Sequence, residues 1–174
     1  MKILNCILIA IIISACAPIY VSHDYEKAAN FSDYKTYNFF SNIESGLNQL
    51  DEKRLVKALD NKLAAMGLQK IENPSFYIDI KSDVFETQSA NTVGVGVGGG
   101  TIGSGGGVSI GIPLAQNGET KQITVEFVDQ TEIGLFWQAT SQCVFKPNKN
   151  PEKRNDRFIK IVEKMLSKYP PKKN

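Results

Sequence analysis

The chain has few of the residues on which most catalytic and metal sites depend. Its 174 residues include one histidine, His23, and three cysteines. A nucleophile activated by histidine needs both side chains within hydrogen-bond reach, and a zinc site needs several His, Cys or carboxylate ligands at close spacing. Neither pattern occurs in the sequence. We therefore predict that the protein is not an enzyme and holds neither a metal nor a cofactor.

A strong net charge is also missing. The formal net charge is +2, and Lys and Arg are scattered among Asp and Glu apart from a short basic tail at residues 172–174. A surface that binds nucleic acid needs a concentrated excess of positive charge. We predict no nucleic-acid partner.

A long apolar run occurs only at the start of the chain. Lys2 is followed by the uncharged residues 7–13 and then by the small residues Ser14 and Ala15. This run is shorter than the roughly 18 residues that a membrane-spanning helix needs. A positive start, a short apolar run and small residues are typical of a secretory signal. We predict a signal peptide at residues 1–15.

The motif Ile13-Ser14-Ala15-Cys16 resembles a bacterial lipobox. The resemblance implies transfer of diacylglycerol to the Cys16 sulfur, cleavage before Cys16 and acylation of the new amino terminus, for example with palmitate. One acyl chain binds a membrane reversibly, whereas two or more anchor it stably. The alternative is an ordinary secretory signal with an unmodified cysteine.

The residue after Cys16 bears on where the anchored protein resides. Ala17 stands where an aspartate would indicate retention in the inner membrane of some bacteria. We expect a lipoprotein of the outer membrane that faces the periplasm. Residues 16–20 are expected to form its lipidated tether and residues 21–171 a single domain.

Cys143 stands alone once Cys6 has left with the signal peptide and Cys16 has been acylated, so no internal disulfide is expected. The surrounding residues 141–145 have the pattern of a strand. We predict a small buried thiol. The alternative, a reactive nucleophile, would need a nearby base.

Hydrophobic periodicity predicts an α+β domain. Apolar residues alternate in strands, and they recur at helical spacing in two amphipathic segments. Strands are predicted at 76–85, 122–128 and 133–145, with shorter ones near 21–25 and 36–40, and helices are predicted at 51–66 and from Asn150 to about 168. Asn48 or Asp51 caps the first helix and Gly67 ends it. We expect the two helices to pack on one face of an antiparallel β-sheet, with the last two long strands forming a hairpin.

A glycine-rich run at residues 94–111 holds ten of the fourteen glycines. It contains a formal G-x-G-x-x-G match, but no helix follows to receive a phosphate at its N-terminus, so a nucleotide site is not expected. Branched residues alternate with glycine on both sides of the run, which predicts a Gly-rich β-hairpin with one nearly bare face. The alternative is a low-complexity insertion without a role.

The bare face of this hairpin is a candidate interaction surface, because no side chains keep another surface away. The candidate residues are Gly94, Gly96, Gly98, Gly106, Gly107 and Trp137. For Trp137, packing is the first expectation and exposure at a groove is the alternative.

Three groups of residues resemble one known family. They are Val21-x-x-Asp24-Tyr25 with the segment 31–37, Val128-Asp129 leading into residues 135–139, and a closing amphipathic helix that ends at residues 169–171. Their order is similar to that of a bacterial lipoprotein family of unknown function, DUF4136, over residues 21–171. The resemblance implies no established activity, so no catalytic or binding residues are transferred. Ala139 departs from the family pattern, in which glycine is common.

These observations predict a non-enzymatic component of the cell envelope, anchored by Cys16, that binds another envelope protein or itself. One alternative is a periplasmic carrier that holds a lipid or another apolar ligand between sheet and helices. A second alternative is a hydrolase that uses carboxylates such as Asp79 and Asp83. A filled core would favour the interaction module, an apolar cavity the carrier, and acids gathered in a cleft the hydrolase.

Overall fold

The computed structural model of the chain describes residues 18–85, 119–130, 133–145 and 150–172. Its strands are β1 (Ile19–Tyr25), β2 (Thr36–Phe39), β3 (Gln69–Lys70), β4 (Phe76–Phe85), β5 (Glu119–Val128) and β6 (Leu135–Phe145). Helix α1 spans Gln49–Ala65, and helix α2 spans Pro151–Met165 and continues into a short 3-10 turn, Leu166–Lys168. The fold is therefore α+β, as the periodicity predicts. β1 begins at Ile19 and so includes the last two residues of the predicted tether, 16–20.

The six strands form one mixed sheet in the order β1-β6-β5-β4-β2-β3. β1, β6, β5 and β4 are antiparallel neighbours, whereas β2 runs parallel to both β4 and β3. The expectation of an antiparallel sheet is thus wrong for β2 and β3. The reason is connectivity: α1 lies between β2 and β3, and a helical crossover returns the chain in its original direction.

The ends of both helices follow local chemistry. Asn48 accepts a hydrogen bond from the Asp51 N–H at 3.0 Å, and Asn150 accepts one from the Lys153 N–H at 2.9 Å. Pro151 occupies the first turn of α2, where its missing N–H costs nothing. Gly67, with φ of +88°, follows the last turn of α1. The Asn48 and Asn150 side chains each satisfy a backbone N–H that the first turn of a helix leaves without a partner.

The core is one hydrophobic cluster to which the strands and both helices contribute. Alternate residues of the long strands are buried, as expected for strands with one wet face. The strand members include Phe76, Ile78, Ile80, Ile123, Val125 and Phe127, and the helix members include Leu55, Leu59, Leu63, Phe158, Ile161 and Val162. Full burial of each such side chain stabilises the fold by roughly 1.5–3 kcal/mol.

A β-bulge interrupts the alternation where β6 begins. Phe127 faces Trp137 and the next residue, Val128, faces Leu135, so Phe136 is the extra residue of β6. Phe136 and Trp137 are both buried, although they are consecutive. Phe136 stacks on Tyr34 with ring centroids 3.8 Å apart. The bulge therefore adds a second aromatic ring to the core at this end of the sheet.

Candidate functional site

Most of the residues singled out from the sequence lie outside the described part of the chain. These are Cys16, Gly94, Gly96, Gly98, Gly106 and Gly107. The structure does show where the chain enters and leaves these segments. Pro18 lies two residues after Cys16, and Phe85 and Glu119 flank residues 86–118.

These flanking residues lie at one end of the sheet. β1 and β5 begin there, and β4 and β6 end there. In register, Ile19 faces Cys143, Cys143 faces Lys121, and Lys121 faces Val84. We call this edge of the domain the Pro18 end. It extends from Pro18 and the first residue of β1, Ile19, to Val84 on β4. The chain next to Cys16 and both flanks of residues 86–118 therefore lie at the same end of the molecule.

Side chains of α2 fasten the start of β1. The Lys164 ammonium donates to the Ile19 carbonyl at 3.1 Å, and the Arg157 guanidinium approaches the Pro18 carbonyl at 3.4 Å. Arg157 is itself buried. β1 is an edge strand, so only its β6 side is paired. The helix supplies additional hydrogen bonds to its first residues.

Trp137 lies in the core rather than on the surface, with 1% of its side chain exposed. Its ring packs 4.5 Å from Phe127 and 5.3 Å from Tyr169, measured between centroids. Its indole N–H has no hydrogen-bond partner among the described residues. Trp137 therefore acts as a packing residue, and its ring is not presented to a partner in this conformation.

An open depression of about 260 Å³ lies at the opposite end of β1. It is lined by Asp24, Tyr25, Glu26, Leu135, Phe136, Trp137 and Gln138. Pockets that enclose drug-sized ligands hold about 300–1,000 Å³. The Asp24 and Glu26 carboxylates accept hydrogen bonds from nearby backbone N–H groups of Tyr25 and Ala28. Its small volume and acidic residues do not match the enclosed apolar cavity that a lipid carrier needs.

The strand carboxylates lie on the polar face of the sheet. Asp79 and Glu126 face each other across β4 and β5, and the Lys81 ammonium lies 3.5 Å from the first and 2.7 Å from the second. The hydrogen bond to Glu126 raises the pKa of Lys81. Asp83 is exposed and faces Gln122. The lysine between Asp79 and Glu126 makes them an ion-paired surface group rather than two acids in a cleft.

A buried hydrogen bond that the sequence analysis missed closes the turn between β5 and β6. The Tyr34 hydroxyl donates to Asp129 at 2.6 Å, and Asp129 also accepts the Gly134 N–H at 3.2 Å. Burial and, next, this hydrogen bond raise the pKa of Tyr34 above its usual value. The Val128-Asp129 dipeptide was noted only as part of a family pattern, and nothing local in the sequence pairs it with Tyr34. Its role in the structure is to fix the turn.

Cys143 is buried in β6, which agrees with the prediction. Burial raises the pKa of its thiol, although the nearby Arg157 opposes the shift. The described residues contain no group of three His, Cys, Asp or Glu side chains placed to hold a metal. Within the same part of the chain, neither helix is long and apolar enough to cross a membrane.

A family model matches residues 21–171, which cover every described helix and all strands but the first two residues of β1. The chain belongs to the family described as Domain of unknown function (DUF4136). This confirms the resemblance seen in the sequence motifs. A search of curated proteins found no match to this DUF4136 chain.

The chain is similar to solved structures at low sequence identity. A PDZ domain protein from Parabacteroides distasonis is 17% identical with a TM-score of 0.58, and the alignment covers 90% of this chain and 37% of that one. The DUF4136 chain therefore spans a little over a third of that protein's length. Two dodecamer structures of PelC from Paraburkholderia phytofirmans are 13% identical, with TM-scores of 0.45 and 0.42. Both alignments cover 86% of this chain, and they cover 95% and 96% of the PelC chains.

Proposed function

We propose that this DUF4136 protein is a non-enzymatic lipoprotein of the bacterial cell envelope. Acylated Cys16 anchors it in the outer membrane, the domain faces the periplasm, and it acts by binding another envelope protein or a second copy of itself. The observation that carries the proposal is the Pro18 end, where the chain from Cys16 enters and residues 86–118 leave and return. Anchor and glycine-rich run would then act on the same side of the domain.

The packing of the domain supports an interaction role. We propose that α1 and α2 form one layer on the sheet, because they contact each other through Asp51 and Arg154 and share a single core with the strands. The opposite face carries polar pairs such as Gln122 with Gln142 and Thr124 with Thr140. The buried side chains of the described residues form one cluster, and the depression at the far end of β1 is open and lined by acidic residues, which favours an interaction module over a carrier.

The role of the glycine-rich run is the second part of the proposal. The bare face formed by Gly94, Gly96, Gly98, Gly106 and Gly107 serves as the docking surface. Without side chains, its backbone can approach another strand or surface closely. Trp137 packs in the core of the domain and takes no direct part in the contact.

Two experiments test this function. A Cys16→Ser variant is compared with the wild type by membrane fractionation and by mass spectrometry of the mature N-terminal peptide. We expect acylation and outer-membrane recovery of the wild type only. An unmodified Cys16 in the wild-type protein would overturn the anchoring.

The second experiment is crosslinking and pull-down from intact envelopes, comparing the wild type with a deletion of residues 94–107. A Gln138→Ala variant, altered in the depression at the opposite end, is the matched control. We expect the deletion to lose crosslinked partners that the control retains. An unchanged partner set in the deletion variant would exclude the glycine-rich run as the docking surface.

A further inference from the structure

We infer that the Pro18 end of the domain lies directly on the lipid headgroups, with Tyr20, Leu50 and Val84 in the interfacial layer and the strands running away from the membrane. The partner is a bilayer surface. This inference rests on acylation of Cys16 in the proposed function, and it adds the orientation of the domain.

The length of the link limits how far the domain can lie from the membrane. Only Ala17 separates Cys16 from Pro18. An extended chain spans at most about 3.6 Å per residue, so Pro18 lies within roughly 7 Å of Cys16. A strand as long as β6, with 11 residues, extends about 37 Å at a rise of 3.4 Å per residue. The link is too short to let a domain of this size move freely above the bilayer.

The link is not easily lengthened by peeling β1 from the sheet. Ile19 pairs with Cys143, and its carbonyl accepts the Lys164 ammonium. The Ile19 side chain is buried in the core. Separating these residues would break paired backbone groups and expose apolar surface, so the domain surface around Pro18 stays next to the acylated residue.

The most exposed apolar side chains indicate that the Pro18 end of the sheet contacts the membrane. The three most exposed large hydrophobic residues among those described are Tyr20 at 68%, Leu50 at 62% and Val84 at 49%. Tyr20 and Val84 lie at the Pro18 end. Leu50 is the second residue of α1, and the loop before α1 is held near this end because the Ser82 hydroxyl donates to the Ser45 carbonyl at 2.7 Å.

The chemistry of these side chains suits the headgroup region. Tyrosine has an apolar ring and a polar hydroxyl, and such rings are enriched at membrane interfaces. The alternative is that the domain lies on its β1 edge. That edge lies three strands away from β4, so Val84 would then be held far from the membrane. The end of the sheet brings Tyr20 and Val84 to the membrane together and is therefore the better contact.

The test uses the acylated full-length mature protein in vesicles of phosphatidylethanolamine and phosphatidylglycerol, with and without brominated acyl chains. Tyr20→Trp places a fluorescent reporter at the Pro18 end. Tyr25→Trp is the matched control, because it makes the same substitution at the other end of β1. The wild type, whose one tryptophan is buried Trp137, gives the background emission.

We expect brominated lipid to remove most of the emission that Tyr20→Trp adds and its spectrum to shift to shorter wavelength on membrane insertion. Emission from Tyr25→Trp is expected to stay unquenched. Equal or stronger quenching of Tyr25→Trp, or none in either variant, would overturn the orientation. Mass spectrometry of the Cys16 peptide comes first, so failed acylation counts against the anchor and failed quenching of an acylated protein against the orientation alone.

Discussion

Two buried tyrosines in one aromatic cluster differ in what their hydroxyls contact. Tyr34 donates to the buried carboxylate of Asp129, whereas the Tyr169 hydroxyl has no hydrogen-bond partner among the described residues. Both rings contact Phe31. The pair separates the contribution of a hydrogen bond from that of ring burial.

Replacing Tyr34 with phenylalanine is expected to lower the free energy of unfolding by about 1.5–3 kcal/mol, because it removes a hydrogen bond to a charged group. Tyr169→Phe is the control, and it should be neutral or slightly stabilising because it removes a buried hydroxyl without a described partner. Urea unfolding of both variants measures the difference. Equal losses would show that the Tyr34–Asp129 hydrogen bond does not stabilise the turn.

Two features of the structure require glycine at position 46. Its φ is +70°, and a Cβ atom would lie 2.8 Å from the Ser82 carbonyl oxygen in β4. At Gly67, φ is +88° but nothing lies within 4 Å of that position. For a residue with a side chain, the left-handed backbone conformation alone lowers stability by about 1–2 kcal/mol.

We therefore expect Gly67→Ala to destabilise the fold by about 1 kcal/mol and Gly46→Ala by clearly more than 2 kcal/mol, since backbone strain and the clash add. The midpoint of urea unfolding, at constant m-value, measures both. If the two variants are equally destabilised, the loop before α1 moves away from β4 at little cost.

At the scale of elements, local signals predicted most of the fold. Helix periodicity and the caps at Asn48 and Asn150 located both helices to within a few residues, and the β5–β6 hairpin was predicted from alternation and is confirmed. β3 was missed because its two exposed residues carry no hydrophobic pattern. The order strand, helix, strand around α1 is the signal that would have indicated parallel pairing of β2.

Contacts between helices do not follow from local sequence patterns. The Asp51–Arg154 contact joins the first turns of α1 and α2 across more than a hundred residues of sequence. Asp51 was considered only as a cap, although its side chain is completely buried. Sequence periodicity shows which face of a helix is apolar, but it does not show which polar residue of another helix that face meets.

Burial by itself would raise the pKa of Asp51, but hydrogen bonds from Arg154 and Asn48 outweigh it and hold that pKa below the ordinary value of 3.8. Between the folded and unfolded pKa values the unfolded chain binds more protons, so stability falls as the pH falls there. The contribution of Asp51 is complete above about pH 4 and is lost as the pH falls through its folded pKa.

Asp51→Asn should therefore lower the free energy of unfolding at neutral pH by about 2–4 kcal/mol, somewhat less than for a fully buried pair because Arg154 reaches solvent. Its stability should also change less between pH 5 and pH 2 than that of the wild type, since the titrating group is gone. Glu152→Gln is the control, an exposed carboxylate in the first turn of α2, and should cost less than about 1 kcal/mol. If the free energy of unfolding fell by the same amount between pH 5 and pH 2 in the wild type and in Asp51→Asn, Asp51 would not be the group responsible for this pH dependence.

At the scale of the whole molecule, the pairing of β4 with β5 bears on how the glycine-rich run relates to the fold. Val84 faces Lys121, and the next pair is Phe85 with Thr120. Antiparallel neighbours need only a turn of two to five residues between them. The core formed by the described residues extends from Ile19 to Tyr169 and includes side chains of every long strand and both helices.

We expect a variant in which a short Asn-Gly turn replaces residues 86–118 to fold to the same domain. Each doubling of loop length costs about 0.6 kcal/mol, so shortening this connection about sixteenfold should leave the free energy of unfolding unchanged or raise it by up to roughly 2.5 kcal/mol. Circular dichroism and urea unfolding check this. A loss of stability would mean that the run packs on the domain, and a loss of partners after deleting residues 94–107 would then reflect damage to the fold. If stability is retained, the loss of partners after deleting residues 94–107 would reflect the loss of the docking surface.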